Sequence, residues 1–450
     1  MSSPVHIVGA GLGGSLLAIF LARRGMEVIV LERRPDMRRE DIPAGRSINL
    51  ALANRGLAAL ARVGLEEAVR RLTIPMRGRM LHDERGALQL VPYGQQPHEV
   101  IHSISRAGLN KLLMDAAEAT GRVELRFNQR VDTMNPATGT LTVYDEVSGA
   151  TSQLTAAPVI AADGAGSRIR EALMALPDAH ETEDVLPHDY KELNIPPTAG
   201  GCHALEVNAL HIWPRGGYML IALPNLDGSF TVTLFLPREG ADSFATLTDA
   251  GAVRAFFTRA FPDAVPLMPE LVDSFFTNPT GHMVTVRCAP WNLAGRVLLV
   301  GDAAHAIVPF HGQGMNAAFE DCSELDRCLD AHGADWARAF AEFMRLRKPN
   351  AEAIADMALE NYVEMRDAVR DPRFQLQKAL AFELERRHPG VFIPRYSMVM
   401  FHHIPYARAQ QRGTIQQRIL DALTARAHAL DDVDLEAADD LIERELRPRI

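Results

Sequence analysis

The amino-acid sequence predicts an α/β protein with a Rossmann-like domain, a β-sheet domain and a C-terminal helical region. A short apolar strand at Val5–Val8 runs through a glycine-rich turn into an apolar stretch with helical spacing at 12–21. The segment from Ala204 to Leu236 alternates as β-strands do, and the pattern after about residue 334 has the period of packed helices. A strand that leads through glycines into a helix is typical of α/β folds, which gives the fold class.

The first glycine-rich turn, GAGLGG, follows the first strand directly. Gly9 permits the tight turn, Gly11 allows the backbone to approach a pyrophosphate, and Gly14 allows the helix to pack closely on the strand. Glu32 ends the next apolar strand at the spacing where an acid accepts from a ribose hydroxyl, and Arg33 follows it as a further predicted cofactor contact. NAD also fits this pattern, and a glycine turn without a ligand is the other alternative. Strand, helix and acid together favour a dinucleotide.

A second apolar strand, at 297–300, delivers Gly301 and Asp302 at its carboxyl end, where an open α/β sheet binds ligands. Asp302 is therefore predicted to accept from a ribityl hydroxyl. A glycine-rich turn at 312–314 then opens a helix that starts with Gly314 and Met315. Its free N–H groups would face the N1/O2 edge of a flavin, where negative charge collects on reduction. These features favour FAD over NAD.

A third motif, DGAGSRIR, lies between the other two at 163–170. Together the three motifs resemble the fingerprint of the class A, single-component flavoprotein monooxygenases over positions 9–316. The resemblance implies that Asp163 serves both FAD and the nicotinamide donor through its loop. It makes Ser167 and Arg170 the remaining members of the pattern. Taken alone, an Asp-Gly pair at this position would be an ordinary turn.

Further segments resemble the kynurenine 3-monooxygenase family and extend the resemblance over nearly the whole chain. They are Gly45–Leu52, Pro75–Met80, Pro92–Gly94, Leu210–Pro214, Glu360–Tyr362 and Phe392–Met398. The resemblance implies that four residues contact the substrate: Arg79, Tyr93, Asn361 and Tyr396. It implies that the wall around the reacting ring comprises Phe235, Phe310 and His311. It also implies two further FAD contacts, Arg106 and the backbone at Val131.

Spacing alone predicts more ordinary roles for several of these residues. Alternation along its strand would make Phe235 a sheet-surface residue, and helical spacing would leave Asn361 bonded to solvent. His305 and His311 would be structural histidines, because no cluster of ligands supports a metal site. The sequence therefore predicts no metal.

The resemblance implies a definite chemistry. NADPH reduces FAD, O2 adds at flavin C4a, and the hydroperoxide transfers its terminal oxygen to the ring of L-kynurenine beside the aromatic amine, giving 3-hydroxykynurenine. A dry pocket favours this transfer over decay of the peroxide. The amino-acid carboxylate of the substrate calls for a buried arginine fork, for which Arg79 is the candidate.

The sequence leaves three alternatives open. The first is a class A hydroxylase of another aromatic acid, such as a phenolic acid. The second is a flavin-dependent halogenase, which is disfavoured because the three tryptophans form no W-x-W motif. The third is a flavin-binding protein without turnover, which serves as a redox partner or structural subunit.

The expected domain boundaries divide the chain into four stretches. The FAD-binding domain would occupy 1–180 and return at 281–330, with a β-rich substrate domain at 181–280 between them. A helical region at 331–450 would complete the substrate pocket. At 450 residues the chain is long for a single core, and this length is consistent with two to three lobes.

Composition limits the partners and the compartment. A net charge of −10 argues against a nucleic-acid surface or a polybasic membrane contact, so the expected partners are small: the substrate, NADPH and O2. Four scattered cysteines without a CxxC pair suggest free thiols in a reducing compartment. Eukaryotic members of the resembled family carry a C-terminal membrane anchor, whereas residues 437–446 here form a charged amphipathic pattern. We therefore expect a cytoplasmic protein with no membrane contact.

Overall fold

A computed structural model describes residues 3–40, 49–366 and 371–449. Residues 45–48, which begin one of the family-like segments, lie outside the described part. The chain forms two compact units. The first comprises Met1–Thr73, Ile104–Val185 and Met283–Ala355. The second comprises Ile74–Ser103, Leu186–His282 and Asp356–Ile450.

These units depart from the expected boundaries in two places. Residues 74–103, expected in the FAD-binding domain, group with the second unit because Gly78–His82 pairs with a strand of its sheet. Residues 331–355, expected in the C-terminal helical region, group with the first unit. Both departures follow from long-range packing, which the local sequence pattern does not encode.

The elements follow one another along the described chain as short strands and helices of varied length. The strands are β1 (Val5–Val8), β2 (Val28–Leu31), β3 (Asn49–Leu52), β4 (Thr73–Met76), β5 (Gly78–His82), β6 (Leu88–Pro92), β7 (Ile101–Ser105), β8 (Val123–Arg126), β9 (Gln129–Asn135), β10 (Thr140–Asp145), β11 (Thr151–Thr155), β12 (Val159–Ala161), β13 (His180–Ile195), β14 (Ala209–Pro214), β15 (Met219–Pro224), β16 (Phe230–Pro237), β17 (Thr280–Ala289), β18 (Asn292–Leu293) and β19 (Val297–Leu299). The α-helices are α1 (Leu12–Arg23), α2 (Asn54–Arg62), α3 (Glu66–Arg70), α4 (Arg106–Ala119), α5 (Arg168–Met174), α6 (Ala250–Ala260), α7 (Leu271–Thr277), α8 (Asp302–His305), α9 (Gly314–His332), α10 (Trp336–Arg366), α11 (Pro372–Arg387), α12 (Arg395–Met400), α13 (Tyr406–Leu423) and α14 (Leu435–Leu441).

The first unit is built on a six-stranded sheet with the order β18-β19-β12-β1-β2-β8. Strands β19, β12, β1, β2 and β8 run parallel, and β1 is buried along its whole length. Such double burial explains why β1 and β19 read as continuous apolar runs rather than alternating ones. The predicted strand, turn and helix at the start of the chain are confirmed, and the sheet brings the ends of β1, β12 and β19 to one edge.

The second unit contains a sheet in which β13, β16, β15, β14, β5 and β6 are neighbours in that order. The predicted hairpin is confirmed: β15 and β16 pair antiparallel across the turn after Pro224. Phe230, Val232 and Leu234 lie in a core cluster with residues of α6 and α7, so this face of the sheet is covered by helices. Phe235 points to the opposite face, as the alternation predicts.

The C-terminal part of the second unit is helical, as predicted. The expected amphipathic helix at 437–446 is present as α14 followed by a turn of π-helix at Ile442–Leu446. Ala438, Ile442 and Leu446 of this segment are fully buried with residues of α11 and α13. No helix in the described part of the chain is long and apolar enough to cross a membrane.

The buried imidazole of His6 in β1 lowers the stability of the folded protein. Its side chain is 4% exposed, and neither ring nitrogen has a hydrogen-bond partner in the described structure. Burial lowers the pKa of the imidazole below its ordinary 6.5, so folding favours the neutral ring. The unfolded chain binds a proton there as the pH falls below about 6.5, and stability is lost in that direction.

We expect His6→Leu to raise the free energy of unfolding by about 1 kcal/mol, because the variant no longer buries an unpaired polar ring. Its stability should also fall less than that of the wild type between pH 7 and pH 5 in urea titrations. His180→Leu, the same change at an exposed position, is the control. A His6→Leu protein with wild-type pH dependence would contradict this account of the imidazole.

Candidate functional site

The first glycine turn has the geometry of a phosphate-binding turn. Gly9 adopts φ +100°, and a Cβ there would lie 2.6 Å from the Ala162 carbonyl oxygen. A Cβ on Gly14 would lie 2.0 Å from the Gly9 oxygen, whereas one on Gly11 would meet nothing within 4 Å. Helix α1 begins directly after Gly11 without a side-chain cap. Its first-turn N–H groups therefore have no capping side chain and can bind an anion.

Glu32 is held at the end of β2 by the backbone around it. One carboxylate oxygen accepts from the Ala10 N–H at 2.9 Å, and the other accepts from the Arg34 N–H at 3.0 Å. A carboxylate has about four acceptor positions, so capacity remains for a ribose hydroxyl. Arg33, the next predicted contact, is exposed beside it.

Asp163 presents an unused acceptor in the second motif. Its Oδ2 accepts from the Arg168 N–H at 3.0 Å, while its buried Oδ1 has no partner in the described structure. Burial raises the pKa of this carboxyl group. Ser167 caps α5 by accepting from the Arg170 N–H at 3.0 Å, and Arg170 donates to the Ala303 carbonyl oxygen at 3.2 Å. Arg170 thus joins the second motif to the third.

A fully buried carboxylate, Asp321 in α9, organises the third motif. It accepts from the Gly301 N–H at 2.9 Å, from His305 Nε2 at 2.7 Å and from Arg347 Nε at 2.6 Å. Burial alone would raise the pKa of Asp321, but His305 and Arg347 outweigh it and hold the pKa at about 2. Glu320, next to it, accepts from Arg347 and from Arg55 at 2.6 Å each. The structural role predicted for His305 is therefore confirmed.

The start of α9 lies beside Asp302. Asp302 is exposed, and a Cβ on Gly314 would lie 3.9 Å from its Oδ1. Helix α9 begins at Gly314 without a side-chain cap, and Met315 follows half-buried. Asn316 fixes this helix start by donating to the Gly312 and Ala51 carbonyl oxygens at 2.8 and 2.9 Å. The N–H groups at the start of α9 and the Asp302 carboxylate therefore lie close together.

Two further predicted FAD contacts belong to the same unit. Arg106 begins α4, and its buried Nε has no partner in the described structure. One turn later Asn110 donates to the Ala10 carbonyl oxygen at 3.0 Å, so this end of α4 lies at the first glycine turn. Val131 lies in β9, where the register with β10 shifts. Four features of this unit fit FAD. They are the unpaired Nε of Arg106, the unpaired Oδ1 of Asp163 and the uncapped starts of α1 and α9.

Phe310 and His311 form a short 3₁₀ turn with Pro309. Both side chains are nearly buried, and the turn ends at Gly312 with φ +64°. They belong to the first unit, whereas Phe235 belongs to the second. Their predicted role in the wall of the substrate pocket stays a prediction.

The four predicted substrate contacts lie together in the second unit. Arg79 in β5 donates through Nη2 to the Asn361 Oδ1 at 3.3 Å. The rings of Tyr93 and Tyr396 stack at 5.5 Å between centroids with an interplanar angle of 12°. The Arg79 guanidinium lies over both rings, 5.0 Å from Tyr396 and 5.9 Å from Tyr93. The resemblance thus selected residues that the fold brings into one cluster, which we call the Arg79 cluster: Arg79, Tyr93, Asn361, Glu364 and Tyr396.

Glu364 is the member of this cluster that the sequence did not predict. Its Oε1 accepts from Arg79 Nη1 at 3.0 Å, and its side chain is 27% exposed. It follows Asn361 by three residues on α10, so both side chains lie on one face of the helix. The i,i+3 spacing of Asn361 and Glu364 is the one sequence signal that could have identified Glu364. Such polar pairs on a helix are more often exposed to solvent, so the spacing alone did not indicate a site.

Burial and charge keep this cluster in defined protonation states. Burial raises the pKa of Tyr93 well above its ordinary value and raises that of Tyr396 to about 12. Burial acts to lower the pKa of Arg79, but Tyr396 and Glu364 outweigh it and the pKa lies above the ordinary value. At neutral pH the site therefore offers a guanidinium and two neutral phenols as donors.

The surrounding elements hold each side chain of the cluster in place. Strand β5 pairs with β14 on one side and with β6, which precedes Tyr93, on the other. Before Tyr396, the carbonyl oxygens of Val391 and Ile393 accept from Arg412 and Gln416 of α13, each at 2.8 Å. Asn361 is 3% exposed, so the solvent-bonded role that spacing suggested for it is wrong.

Phe235 lies on the same face of the sheet as Arg79. Leu81, two residues after Arg79 on β5, pairs with Ile212 of β14, and Ile212 pairs through Ile221 of β15 with Thr233 of β16. Residues two apart on one strand share a face, so Arg79 and Leu81 lie on the same face as Thr233 and Phe235. This face is opposite the one that α6 and α7 cover, so Phe235 points to the side of the cluster.

Known proteins resemble this chain in sequence and in fold. A family model described as FAD binding domain matches residues 2–357. The chain is 53% identical to the kynurenine 3-monooxygenase of Myxococcus xanthus (strain DK1622), covering 99% of this chain and 96% of that protein. It is 47% identical to that of Stenotrophomonas maltophilia (strain K279a), covering 99% and 97%. The fold is similar to 2-methyl-3-hydroxypyridine-5-carboxylic acid oxygenase, with a TM-score of 0.67 at 20% identity over 85% of this chain and 98% of the other.

Glu32→Gln tests the adenosine site. The amide can still accept from the Ala10 N–H, but it loses the charged acceptor, and FAD should bind about tenfold to a hundredfold more weakly. The measurement is FAD retention by fluorescence after dialysis. Glu27→Gln, a matched change at an exposed acid paired with Arg122, should retain FAD normally. Unchanged retention in Glu32→Gln would reject the assignment.

Asp321→Asn tests the buried hub of the third motif. Removing this charge leaves His305 and Arg347 without their shared partner, so the free energy of unfolding should fall by about 3 kcal/mol. Because the folded pKa of about 2 lies below the ordinary 3.8, the wild-type contribution is present above that ordinary value and lost as the pH falls toward 2. The variant should lack this acid step in urea titrations. Glu342→Gln, which disrupts the exposed pair with Arg345, is the control.

Proposed function

The chain belongs to the kynurenine 3-monooxygenase family, and from this premise we propose that it hydroxylates L-kynurenine to 3-hydroxykynurenine with FAD, NADPH and O2. The observation that carries the proposal for this chain is the Arg79 cluster. A guanidinium and a carboxylate 3.0 Å apart, beside two neutral phenols, complement the zwitterionic end of an α-amino acid.

The two charges of the cluster have distinct roles in the proposal. Arg79 binds the substrate carboxylate, because a planar fork offers paired donors that a lysine does not. The Tyr93 hydroxyl, neutral and buried beside Arg79 and Tyr396, is a further donor to that carboxylate. Glu364 accepts from the α-ammonium group. A simple phenolic acid has no cation for Glu364, and this favours an amino-acid substrate over the other aromatic acids.

Recognition of both charges orients the aromatic ring. With the zwitterion held at Arg79 and Glu364, the aniline ring extends along the sheet face that carries Phe235. An apolar aromatic side chain there excludes water from the ring. The contributions of Phe310 and His311 to the same wall remain part of the proposal.

The FAD-binding residues proposed are those of the first unit. They are Gly9, Gly11, Gly14, Glu32, Arg33, Arg106, Val131, Asp163, Asp302, Gly314 and Met315. Bound FAD would take hydride from NADPH and activate O2, so that one oxygen atom enters the ring beside the aromatic amine. The protein's part is to hold the flavin through glycine turns and helix starts, to accept from its hydroxyls, and to keep water away from the reacting ring.

Purified FAD-loaded protein provides the direct test. L-kynurenine should accelerate NADPH consumption and yield 3-hydroxykynurenine, whereas benzoates and phenolic acids should not. Hydroxylation of a phenolic acid with no response to kynurenine would favour another aromatic hydroxylase. NADPH oxidation that no aromatic compound accelerates would favour a flavin protein without this turnover.

Substitution at Arg79 tests the carboxylate contact. In Arg79→Lys, which keeps the charge opposite Glu364, L-kynurenine should bind about tenfold more weakly because a point charge cannot reproduce the fork. In Arg79→Ala the loss should reach about a hundredfold with FAD content unchanged. Flavin absorbance changes on titration report the affinity. Arg77→Ala, at an exposed arginine two residues away, should bind normally.

A decarboxylated kynurenine completes this comparison. It should bind weakly to the wild type and lose little further affinity in Arg79→Ala, because the group that Arg79 contacts is missing. Equal losses for both ligands would show that Arg79 is structural and that another residue binds the carboxylate.

A further inference from the structure

Tyr93 lies at the start of an exposed loop, although its own side chain is buried. Its backbone N–H donates to the Arg77 carbonyl oxygen at 3.1 Å, which continues the pairing of β6 with β5. Residues 95–98 are exposed, and the next buried residue is Glu99. The sheet therefore holds the chain before Tyr93, whereas the chain after it depends on contacts within the loop.

Glu99 supplies such contacts from inside the loop. The residue is 5% exposed, and its Oε2 accepts from the Gln95 N–H at 2.7 Å and from the Gln96 N–H at 2.8 Å. Two successive backbone N–H groups directed at one oxygen form an anion-binding turn, and here a carboxylate of the chain itself fills that turn. The carboxylate thus fixes the backbone directly after Tyr93 and Gly94.

Gly94 leaves the space that this carboxylate occupies. A Cβ on Gly94 would lie 2.3 Å from the Glu99 Oε2 and 2.6 Å from its Cδ. Because atoms in folded proteins do not pack so closely, a larger residue at position 94 would displace the carboxylate from the two N–H groups. The small residue next to Tyr93 and the acid later in the loop therefore belong to one packing arrangement.

Gln95 connects the same turn to α11. Its Nε2 donates to the Phe382 carbonyl oxygen at 3.0 Å and to the Glu385 Oε2 at 2.7 Å, while its backbone N–H donates to Glu99. The ring of Tyr93 stacks on that of Tyr396 at 5.5 Å between centroids. Tyr396 thus holds the ring of Tyr93, and Glu99 holds the backbone that follows it.

We propose that Glu99 is a positioning residue for substrate binding: its carboxylate fixes the turn after Tyr93 and so directs the Tyr93 hydroxyl toward the carboxylate of the bound ligand. The inference rests on the proposed function, which makes that hydroxyl a donor to the substrate. Burial raises the pKa of Tyr93 well above its ordinary value and keeps the hydroxyl protonated. Its contribution to binding then depends on its direction, which the turn sets.

A double-mutant cycle on FAD-loaded protein tests this coupling, with dissociation constants from flavin absorbance. Tyr93→Phe removes the hydroxyl and should weaken binding of L-kynurenine about tenfold. Glu99→Ala removes the acceptor of the turn and should weaken binding about fivefold. In the Tyr93→Phe background, Glu99→Ala should change the affinity by less than about twofold, because the hydroxyl that Glu99 directs is absent.

Two conservative variants keep the test decisive if Glu99→Ala does not fold. Glu99→Gln retains a carbonyl oxygen that can accept from both N–H groups, so kynurenine affinity should stay within about twofold of the wild type. Glu99→Asp has a shorter stem that draws the turn away from the ligand, and it should weaken binding about threefold. Glu239→Ala, at an exposed acid of the same unit, should have no effect.

A decarboxylated kynurenine provides the readout that a merely structural role would not give. It offers no carboxylate to the Tyr93 hydroxyl, so its affinity should change by less than about twofold in Glu99→Ala and Glu99→Asp. Equal losses for both ligands, or an undiminished loss in the Tyr93→Phe background, would show that Glu99 does not act through the hydroxyl.

The remaining outcomes separate this inference from the proposed function. Unchanged kynurenine affinity in Glu99→Ala and Glu99→Asp, in a wild type that hydroxylates kynurenine, would reject the role of Glu99 alone. A wild type that binds no kynurenine would reject the proposed function and the inference together.

Discussion

The arrangement of the first unit depends on one buried interaction, the contact of the Asp321 carboxylate with the Gly301 backbone. Gly301 adopts φ +57° at the end of β19, and its N–H would be unpaired at this buried turn without Asp321. Asp321 can remain ionised there because His305 and Arg347 surround it. Asp302 follows Gly301, so the carboxylate that we assign to the flavin is positioned by a second one that is fully buried. Arg170 links this turn to the Asp163 loop through the Ala303 carbonyl.

The Asp321 network and the Arg79 cluster differ in how their carboxylates are paired. Asp321 and Glu320 each have at least two cationic or N–H partners, and Asp321 is fully buried. Such a network specifies one arrangement. In the Arg79 cluster, Glu364 contacts Arg79 through a single oxygen and is 27% exposed. The first network holds a backbone turn, whereas we assign the second to a ligand.

The glycine motifs were predictable because their chemistry is local. A positive φ at Gly9 and the close approach of Gly14 follow from a strand that turns directly into a helix, and both are encoded within a few residues. Resemblance to a known family extended this to Arg79, Tyr93, Asn361 and Tyr396, which the structure brings together from β5, from the segment after β6, and from α10 and α12. Neither route identified Asp321 or Glu364. Each contacts a residue distant in sequence, and each alone looks like an ordinary charged helix position.

By itself, the sequence determined the fold class, the dinucleotide turn, the β15–β16 hairpin and the helical end of the chain, because periodicity and turn chemistry are set by neighbouring residues. Only the tertiary structure decided which charges meet. Residues 74–103 join the second unit through the pairing of β5 with β14, and within that unit Arg79 of β5 contacts Asn361 and Glu364 of α10. Burial then sets the protonation states of these side chains. It raises the pKa of Tyr396 and so keeps the phenol neutral, whereas Asp321 stays ionised because His305 and Arg347 outweigh the effect of burial. No stretch of sequence states how deeply a side chain is buried.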